Sequence, residues 1–481
     1  MTYKNTIEYI ENSDYKSYSF YFDPISNKNG TVNFIDHSNN TETTVGISLD
    51  DKELTQFFQY SIITDLIDLA VAISACDRLA PQNLRGKQRR LFVSLPVRHP
   101  ELLNSQLFSE KLENLLEWAT GSRWYFDFQK RKVSERYGDN QLAFPINKDY
   151  EIALWSGGLD ALAGLYTRLK QDTEKSFVLF GTGSNNSTYH RQGRVARKIQ
   201  SIFPSRTELY RVPIHFSDSS EQRKNKVSRA RGVVFMLLGA ACAYLRGQRK
   251  LNVYENGMGA INLPYRASAI GLDHSRSVHP ITLLMVSELV SELIKEDFQI
   301  HNPFLFWTKA QMCQELAKNG RTDLPSLTMS CDSPHRQKPV QCGYCSSCLL
   351  RRQALAASNI EDQTRYVVLH GEREVKGDTS LPLLNMLAQV RTLEHLLNTS
   401  NQTNLQWVAL TQKFPILDDI VDRTASIEKL LPTEMQSRLI QLYQTYVAEW
   451  NIVKSQMATG LVNKQSGSQV LDKYSLTTQQ A

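Results

Sequence analysis

The stretch EIALWSGGLDALAGLYTRL occupies residues 151–169 and carries two periodicities back to back. EIALW is a short continuous apolar run, which suits a strand covered on both faces. From Leu159 onward the apolar residues recur at helical spacing. Ser156, Gly157 and Gly158 stand between the two. Two glycines let a backbone turn sharply and approach a ligand closely. The N–H groups of a helix's first turn then converge on one point, which favours an anion. Ser156 adds a hydroxyl. Leu159 and Asp160 open the helix, where a carboxylate can cap it or hold Mg2+ against phosphates. The Gly-x-x-x-x-Gly-Lys-Ser/Thr pattern of a Walker loop is absent.

Outward from this stretch, SFVLFG (176–181), TELYRVPI (207–214) and KLNVYEN (250–256) read as further strands. Helical patterns lie between them at about 160–171, 189–203 and 227–246. Strand–helix alternation over 149–362 predicts an α/β unit, a parallel sheet with helices on both faces. Ligands of such sheets bind beyond the carboxyl ends of the strands. Phe180 and Gly181 stand at one such end. Glu255 and Asn256, at another, are candidates for reading a substrate, with Asp273 and His274 behind them.

Residues 1–148 read as a separate α+β domain. TVNFID and TTVGISL are strand-like, about 52–78 is helical, Arg90–Val97 is a strand and 101–119 an amphipathic helix. Residues 363–459 read as a helical domain, carried by TSLPLLNMLAQVRTLEHLL and EMQSRLIQLYQTYVAEWNIV. The polar stretch 460–481 reads as a disordered tail. The chain has 481 residues, a net charge of +6, 41% hydrophobic and 22% charged residues. That is ordinary for a globular protein and asks for no nucleic-acid partner. The longest apolar run, Val233–Leu245, falls short of the roughly 20 residues of a membrane span. No secretory signal opens the sequence, so a cytoplasmic protein with no membrane partner is expected.

Seven cysteines divide into two sets. Cys76, Cys242 and Cys313 lie in apolar helical patterns and read as inert core. Cys331, Cys342, Cys345 and Cys348 follow a C-x10-C-x2-C-x2-C spacing. Four thiolates complete a tetrahedral Zn2+, and a site with four protein ligands is structural, with no position open to substrate. Gly343 suits the tight turn between ligands. Four thiolates also suit an iron–sulfur cluster.

SGGLDA, Ser156–Ala161, resembles the S-G-G-x-D-[ST] pyrophosphate loop (PP-loop) of the ATP-pyrophosphatase superfamily. It departs from that pattern at Ala161, which removes one hydroxyl donor. Further motifs resemble the 7-cyano-7-deazaguanine synthase family. They are Thr308-Lys309, Ser330-Cys331, Cys342-Gly343 with Cys345, Cys348 and Arg351, and ALAASNIEDQ. RARGVVFMLLGAACAYL resembles that family's basic residue before a long apolar helix. The resemblance covers about 150–362 and implies a PP-loop fold with a zinc site. It fails at FGTGSNNSTYHRQ, in place of the family's aromatic, Gln and His motif, and at ENGMGAINLPYRASAIGLDHSRS, in place of its deazaguanine-recognition loop.

The resemblance implies ATP, Mg2+ and Zn2+ as cofactors, and a 7-deazaguanine carboxylate as substrate. It implies ATP over Ser156–Asp160 with its adenine near Phe180 and Gly181, and Asp160, Arg231 and Lys309 as the catalytic set. Long forms with a helix ending near DLIDLAVAISACDR resemble synthase-like proteins of bacterial antiphage defence, including the Qat type. Those imply an amide made on a protein from the same operon. Three other readings stay open: a free 7-cyano-7-deazaguanine synthase, a tRNA-thiolating relative, and a nucleotide-binding module without catalysis. The thiolating relative needs a reactive cysteine.

Overall fold

A computed structural model describes residues 15–26, 31–36, 43–48, 61–81, 88–131, 149–182, 186–216, 228–265, 276–332, 340–368 and 380–458. The strands in chain order are β1 Tyr15–Ser26, β2 Thr31–Asp36, β3 Thr43–Ser48, β4 Gln88–Val97, β5 Arg123–Lys130, β6 Tyr150–Leu154, β7 Ser176–Gly181, β8 Thr207–Arg211, β9 Ile214–Phe216, β10 Lys250–Asn252 and β11 Gln299–His301.

The central sheet runs β11-β10-β6-β7-β8, and every pairing in it is parallel. The chain winds from β6 toward β8, then crosses back to lay β10 on the other side of β6. The reversal opens a crevice beyond the carboxyl ends of β6 and β10. Alternate strand residues feed two cores, as a period of two requires. Ile152, Val178 and Phe180 face the helices Arg231–Leu245 and Pro280–Ile294. Ala153, Phe177 and Leu179 face Leu159–Gln171 and Lys309–Lys318. The helix Arg231–Leu245 is packed between this sheet and the helix Ser61–Leu79, so it is apolar on nearly every side.

The second sheet has the order β5-β4-β1-β2-β3-β9. Its β1, β4 and β5 pair in parallel, while β2, β3 and β9 add antiparallel. TELYRVPI was expected as one strand, and it is two. Its first part pairs with β7, and Val212 still donates to the Gly181 carbonyl at 2.8 Å. Pro213 has no N–H to continue the ladder. Ile214–Phe216 then joins β3 in the other sheet. The helix expected at 101–119 is also divided, into Pro100–Leu103 and Gln106–Thr120, where the Ser105 hydroxyl caps the Phe108 N–H.

Three aspartates of the helix Ser61–Leu79 are fully buried, and each has partners. Asp65 accepts the Arg98 and His99 N–H groups, and Asp68 lies 3.8 Å from Arg131. Asp77 holds Arg89 at 2.8 Å, the Ser228 hydroxyl and the Ala230 N–H. It thereby links the first helix to the entry of Arg231–Leu245. The C-terminal region is helical: Leu381–Leu397, Thr403–Lys413, Ile416–Thr424 and Pro432–Ala458. These close a third core around Met386, Leu439, Tyr443 and Tyr446, which also takes in Ile261, Leu305 and Leu349. The expected tail at 460–481 lies outside the described residues.

Candidate nucleotide-binding and metal site

The crevice is shaped first by Trp155. Its N–H donates to the Phe180 carbonyl at 2.7 Å, its indole to the Gln192 carbonyl, and its own carbonyl accepts the Gln192 side chain. This clasp draws the helix Asn186–Ile202 against the turn that follows β6. Gly157 has φ +70, and a Cβ there would sit 3.2 Å from the Gln192 Cα. Only glycine adopts that backbone in that space. Gly158 is the N-cap of Leu159–Gln171, and no side chain caps the helix. Its own N–H bonds the Ser156 hydroxyl at 3.1 Å. The first turn thus keeps N–H groups for an anion.

The other expected loop residues contribute unequally. Leu159 and Ala161 put their side chains in the core, so they can offer a ligand only backbone. Phe180 is likewise a core ring, and its carbonyl is taken by Trp155. Neighbouring Thr182 was not anticipated. It is buried just beyond β7, and its hydroxyl has no hydrogen-bond partner among the described residues.

Four polar side chains meet where the crevice is deepest. Asp160 receives the Lys309 ammonium on one oxygen and the Asn256 amide at 3.0 Å on the other. The same amide nitrogen lies 2.7 Å from Glu255 Oε1. Asn256 is fixed as the N-cap of Gly257–Ile261, accepting the Gly259 N–H at 3.0 Å. Thr308 forms a capping box with Gln311, and this places Lys309 at the first position of its helix. A cation at a helix N-terminus opposes the dipole, so the carboxylates must hold it. Burial alone would lower the Lys309 pKa, but Asp160 and Glu255 outweigh it and the net shift is upward. Burial, then the charge of Asp160, pushes Glu255 up to about 8, with Lys309 opposing.

Arg231 does not join this cluster. Its guanidinium stacks 5.0 Å from the Phe235 ring and has no hydrogen-bond partner among the described residues. Its side chain is exposed. Asp332, next to Cys331, is exposed and accepts the Ser347 hydroxyl at 2.9 Å. Asp273 and His274 lie outside the described residues.

Cys331, Cys342, Cys345 and Cys348 bring their sulfurs within 4.8 Å of one another. Sulfurs about 2.3 Å from one tetrahedral zinc stand about 3.8 Å apart. Cys342 and Cys348 are separated by that spacing, 3.8 Å. A cluster of several irons would hold its thiolates further apart, so the donor set fits a single zinc. Gly343 turns at φ +84, and the Cys345 N–H points at the Cys342 sulfur at 3.3 Å. Cys345 also N-caps Ser346–Ala357. From that helix, buried Arg351 bonds Thr328, the Pro325 carbonyl and Thr364. The three remaining cysteines are buried, and burial pushes the Cys242 and Cys313 thiols up to about 12. Such thiols are poor nucleophiles at neutral pH.

Residues 278–359 match the family described as queuosine biosynthesis protein QueC. The match covers only part of the chain. That segment includes Lys309 and all four clustered cysteines, and it begins after the Ser156–Asp160 loop. The 7-cyano-7-deazaguanine synthase 1 of Sulfurisphaera tokodaii is 23% identical over 220 residues, 45% of this chain and 98% of that protein. The 7-cyano-7-deazaguanine synthase of Desulfatibacillum aliphaticivorans is 41% identical over 69 residues, 14% of this chain and 28% of that protein. That of Syntrophobacter fumaroxidans is 25% identical over 138 residues, 29% and 55% respectively. The chain thus spans about a quarter and about half of the last two. No helix among the described residues is long and apolar enough to cross a membrane.

Proposed function

We propose that this protein is an ATP-dependent ligase of the PP-loop type. It activates the carboxylate of a 7-deazaguanine as an acyl adenylate and passes the acyl group to an amine. The observation that carries the reading is the meeting of Asp160, Glu255, Asn256 and Lys309 beside an uncapped glycine turn, at the point where the strand order reverses. The similarity to QueC and to 7-cyano-7-deazaguanine synthases supports the choice of substrate.

In this reading the substrate carboxylate attacks the α-phosphorus, and the bond to the bridging oxygen of the diphosphate breaks. An amine nitrogen then attacks the acyl carbon, AMP leaves with the bonding electrons, and the amine gives up a proton. The first-turn N–H groups after Gly158 bind phosphate oxygens. Lys309 offsets the charge that builds on the departing group. Arg231, outside hydrogen-bond reach of Asp160, acts on that charge at longer range. Asn256 holds Asp160 and Glu255 in fixed orientation. Asp160 and Glu255, both bonded by the Asn256 amide, would hold a magnesium ion. Bound there, the ion would neutralise the phosphates. The zinc site, closed by four thiolates, fixes the segment carrying Asp332 and takes no part in bond making.

The long form of the chain supports a finer reading, an amide formed on a partner protein in an antiviral defence system of the cytoplasm. The test is mass spectrometry of products from protein, Mg-ATP and 7-carboxy-7-deazaguanine, with ammonia or operon-neighbour proteins as acceptor. A mass gain on a partner protein, lost in Asp160→Ala, is the expected outcome. A free nitrile or amide base would make the chain a synthase instead. Absence of AMP under every condition would sink the ligase reading.

A further inference from the structure

Asn256 begins a short arm of the chain on the β10 side of the crevice, running through the helix Gly257–Ile261 to Tyr265. Its first end is tied within the α/β unit. The Asn302 amide donates to the Glu255 carbonyl at 2.8 Å, and the Gly257 N–H donates to the Trp307 carbonyl at 2.8 Å. Its far end is tied to the C-terminal domain. Asn262, at φ +49, ends the helix, so the carbonyls beyond it must find donors elsewhere. Gln389, on the helix Leu381–Leu397, supplies them. Its amide donates to the Leu263 carbonyl at 3.0 Å and to the Pro264 carbonyl at 3.1 Å. Gln389 is buried. Between the two ties the arm lies on the C-terminal core, to which Ala260, Ile261 and Leu263 belong. A Cβ at Gly257 would run into the Leu305 carbonyl and stand 2.7 Å from Leu442 of the helix Pro432–Ala458.

Apolar packing is non-directional and does not by itself fix the arm in register. One planar amide that bonds two successive carbonyls does. The glycine turn is held from the other side of β6, by the clasp between Trp155 and Gln192. The two walls of the crevice thus have separate supports. We propose that Gln389 is a positioning residue for the acyl substrate. It holds the arm so that Glu255 and Asn256 stay in place beside Asp160, and it leaves the nucleotide wall to its own clasp. Gln389 lies outside residues 278–359, so the family match does not supply it. The proposal rests on the ligase reading for the identity of the substrate, and on the two hydrogen bonds for the anchoring itself.

The test uses the full-length protein. Gln389→Met keeps the length of the side chain and loses both donors; Gln389→Asn, one methylene shorter, is the milder variant. Met386→Ala, a fully buried position one turn away on the same helix, is the control for a purely structural loss. In AMP-forming turnover, Gln389→Met should raise the KM for 7-carboxy-7-deazaguanine about tenfold and leave the KM for ATP within about twofold, with Gln389→Asn shifted the same way. Met386→Ala should lower the melting temperature and keep the ratio of the two KM values within about twofold of wild type. Hydrogen exchange read by mass spectrometry follows the anchoring without turnover. Amides of 257–265 should exchange at least about tenfold faster in Gln389→Met, and those of Leu159–Gln171 at the wild-type rate. Unchanged exchange at 257–265 would overturn the anchoring. An equal rise in both KM values, or the same split in Met386→Ala, would overturn the positioning role. If the wild type makes no AMP, the ligase reading fails and takes the substrate role with it, while exchange at 257–265 still decides whether Gln389 holds the arm.

Discussion

Glu449→Gln gives a quantitative test of how the C-terminal helices support the crevice. Glu449 lies on Pro432–Ala458 and is only 5% exposed. It accepts the Thr308 hydroxyl on one oxygen and the Gln353 amide at 3.3 Å on the other. Thr308 is the cap that positions Lys309, so this carboxyl lies two contacts from Asp160. Burial raises its pKa from 4.5 to about 7, against the pull of both hydrogen bonds. A carboxyl with a higher pKa in the folded chain binds its proton more tightly there than in the unfolded chain. Its contribution to stability is therefore full below the unfolded value and is lost as pH rises through the folded value. Between pH 5 and pH 8 the loss is about 2–3 kcal/mol. Glutamine keeps an acceptor for Thr308, and its amide can supply the Gln353 Oε1, which has no partner, after that side chain flips. Urea unfolding at pH 5 and pH 8 should show the variant gaining about 2–3 kcal/mol on the wild type as pH rises. Glu255, Asp65 and Asp332 are also raised, but both chains share them and they cancel in the difference. A stability difference that does not change with pH would refute the placement of a buried, titrating carboxyl at 449.

Two other perturbations probe the turn and the metal. Gly157→Ala forces a Cβ into a left-handed backbone at 3.2 Å from Gln192, so a loss of about 1–2 kcal/mol is expected, with AMP formation reduced more than stability. Wild-type stability in that variant would mean the turn can relax. Cys342→Ser removes one of four thiolates, and zinc content by atomic emission should fall from one per chain to near none, with a lower melting temperature. Iron in place of zinc in the wild type would overturn the zinc assignment.

The parts of the site legible in the sequence are those whose partners are close along the chain. The four cysteines fall between residues 331 and 348, so spacing alone restricts how their sulfurs can meet. The turn at 156–160 is legible for the same reason, since strand, glycines and helix are consecutive. Lys309 and Asn256 could be picked out as polar residues at strand ends and helix starts, but their common partner could not. Asp160 lies 149 residues from Lys309 and 96 from Asn256, and what brings them together is the placing of β10 beside β6. No local pattern encodes that choice. It follows from which crossover helix is apolar enough to be buried on one face of the sheet, and Arg231–Leu245 is the helix that qualifies. The same distinction explains the departures. Arg231 opens that helix, and the helix's packing sets it beside Phe235. TELYRVPI kept a strand-like composition across a change of sheet, and only the missing N–H of Pro213 marked the break. Glu449 read as one more polar residue on an amphipathic helix. Whether such a carboxylate faces water or a buried hydroxyl depends on the helix it packs against, here Ser346–Ala357, whose own position is fixed by the cysteines. Zinc loss should therefore be felt at Lys309 through Gln353, Glu449 and Thr308, a route that no motif spells out.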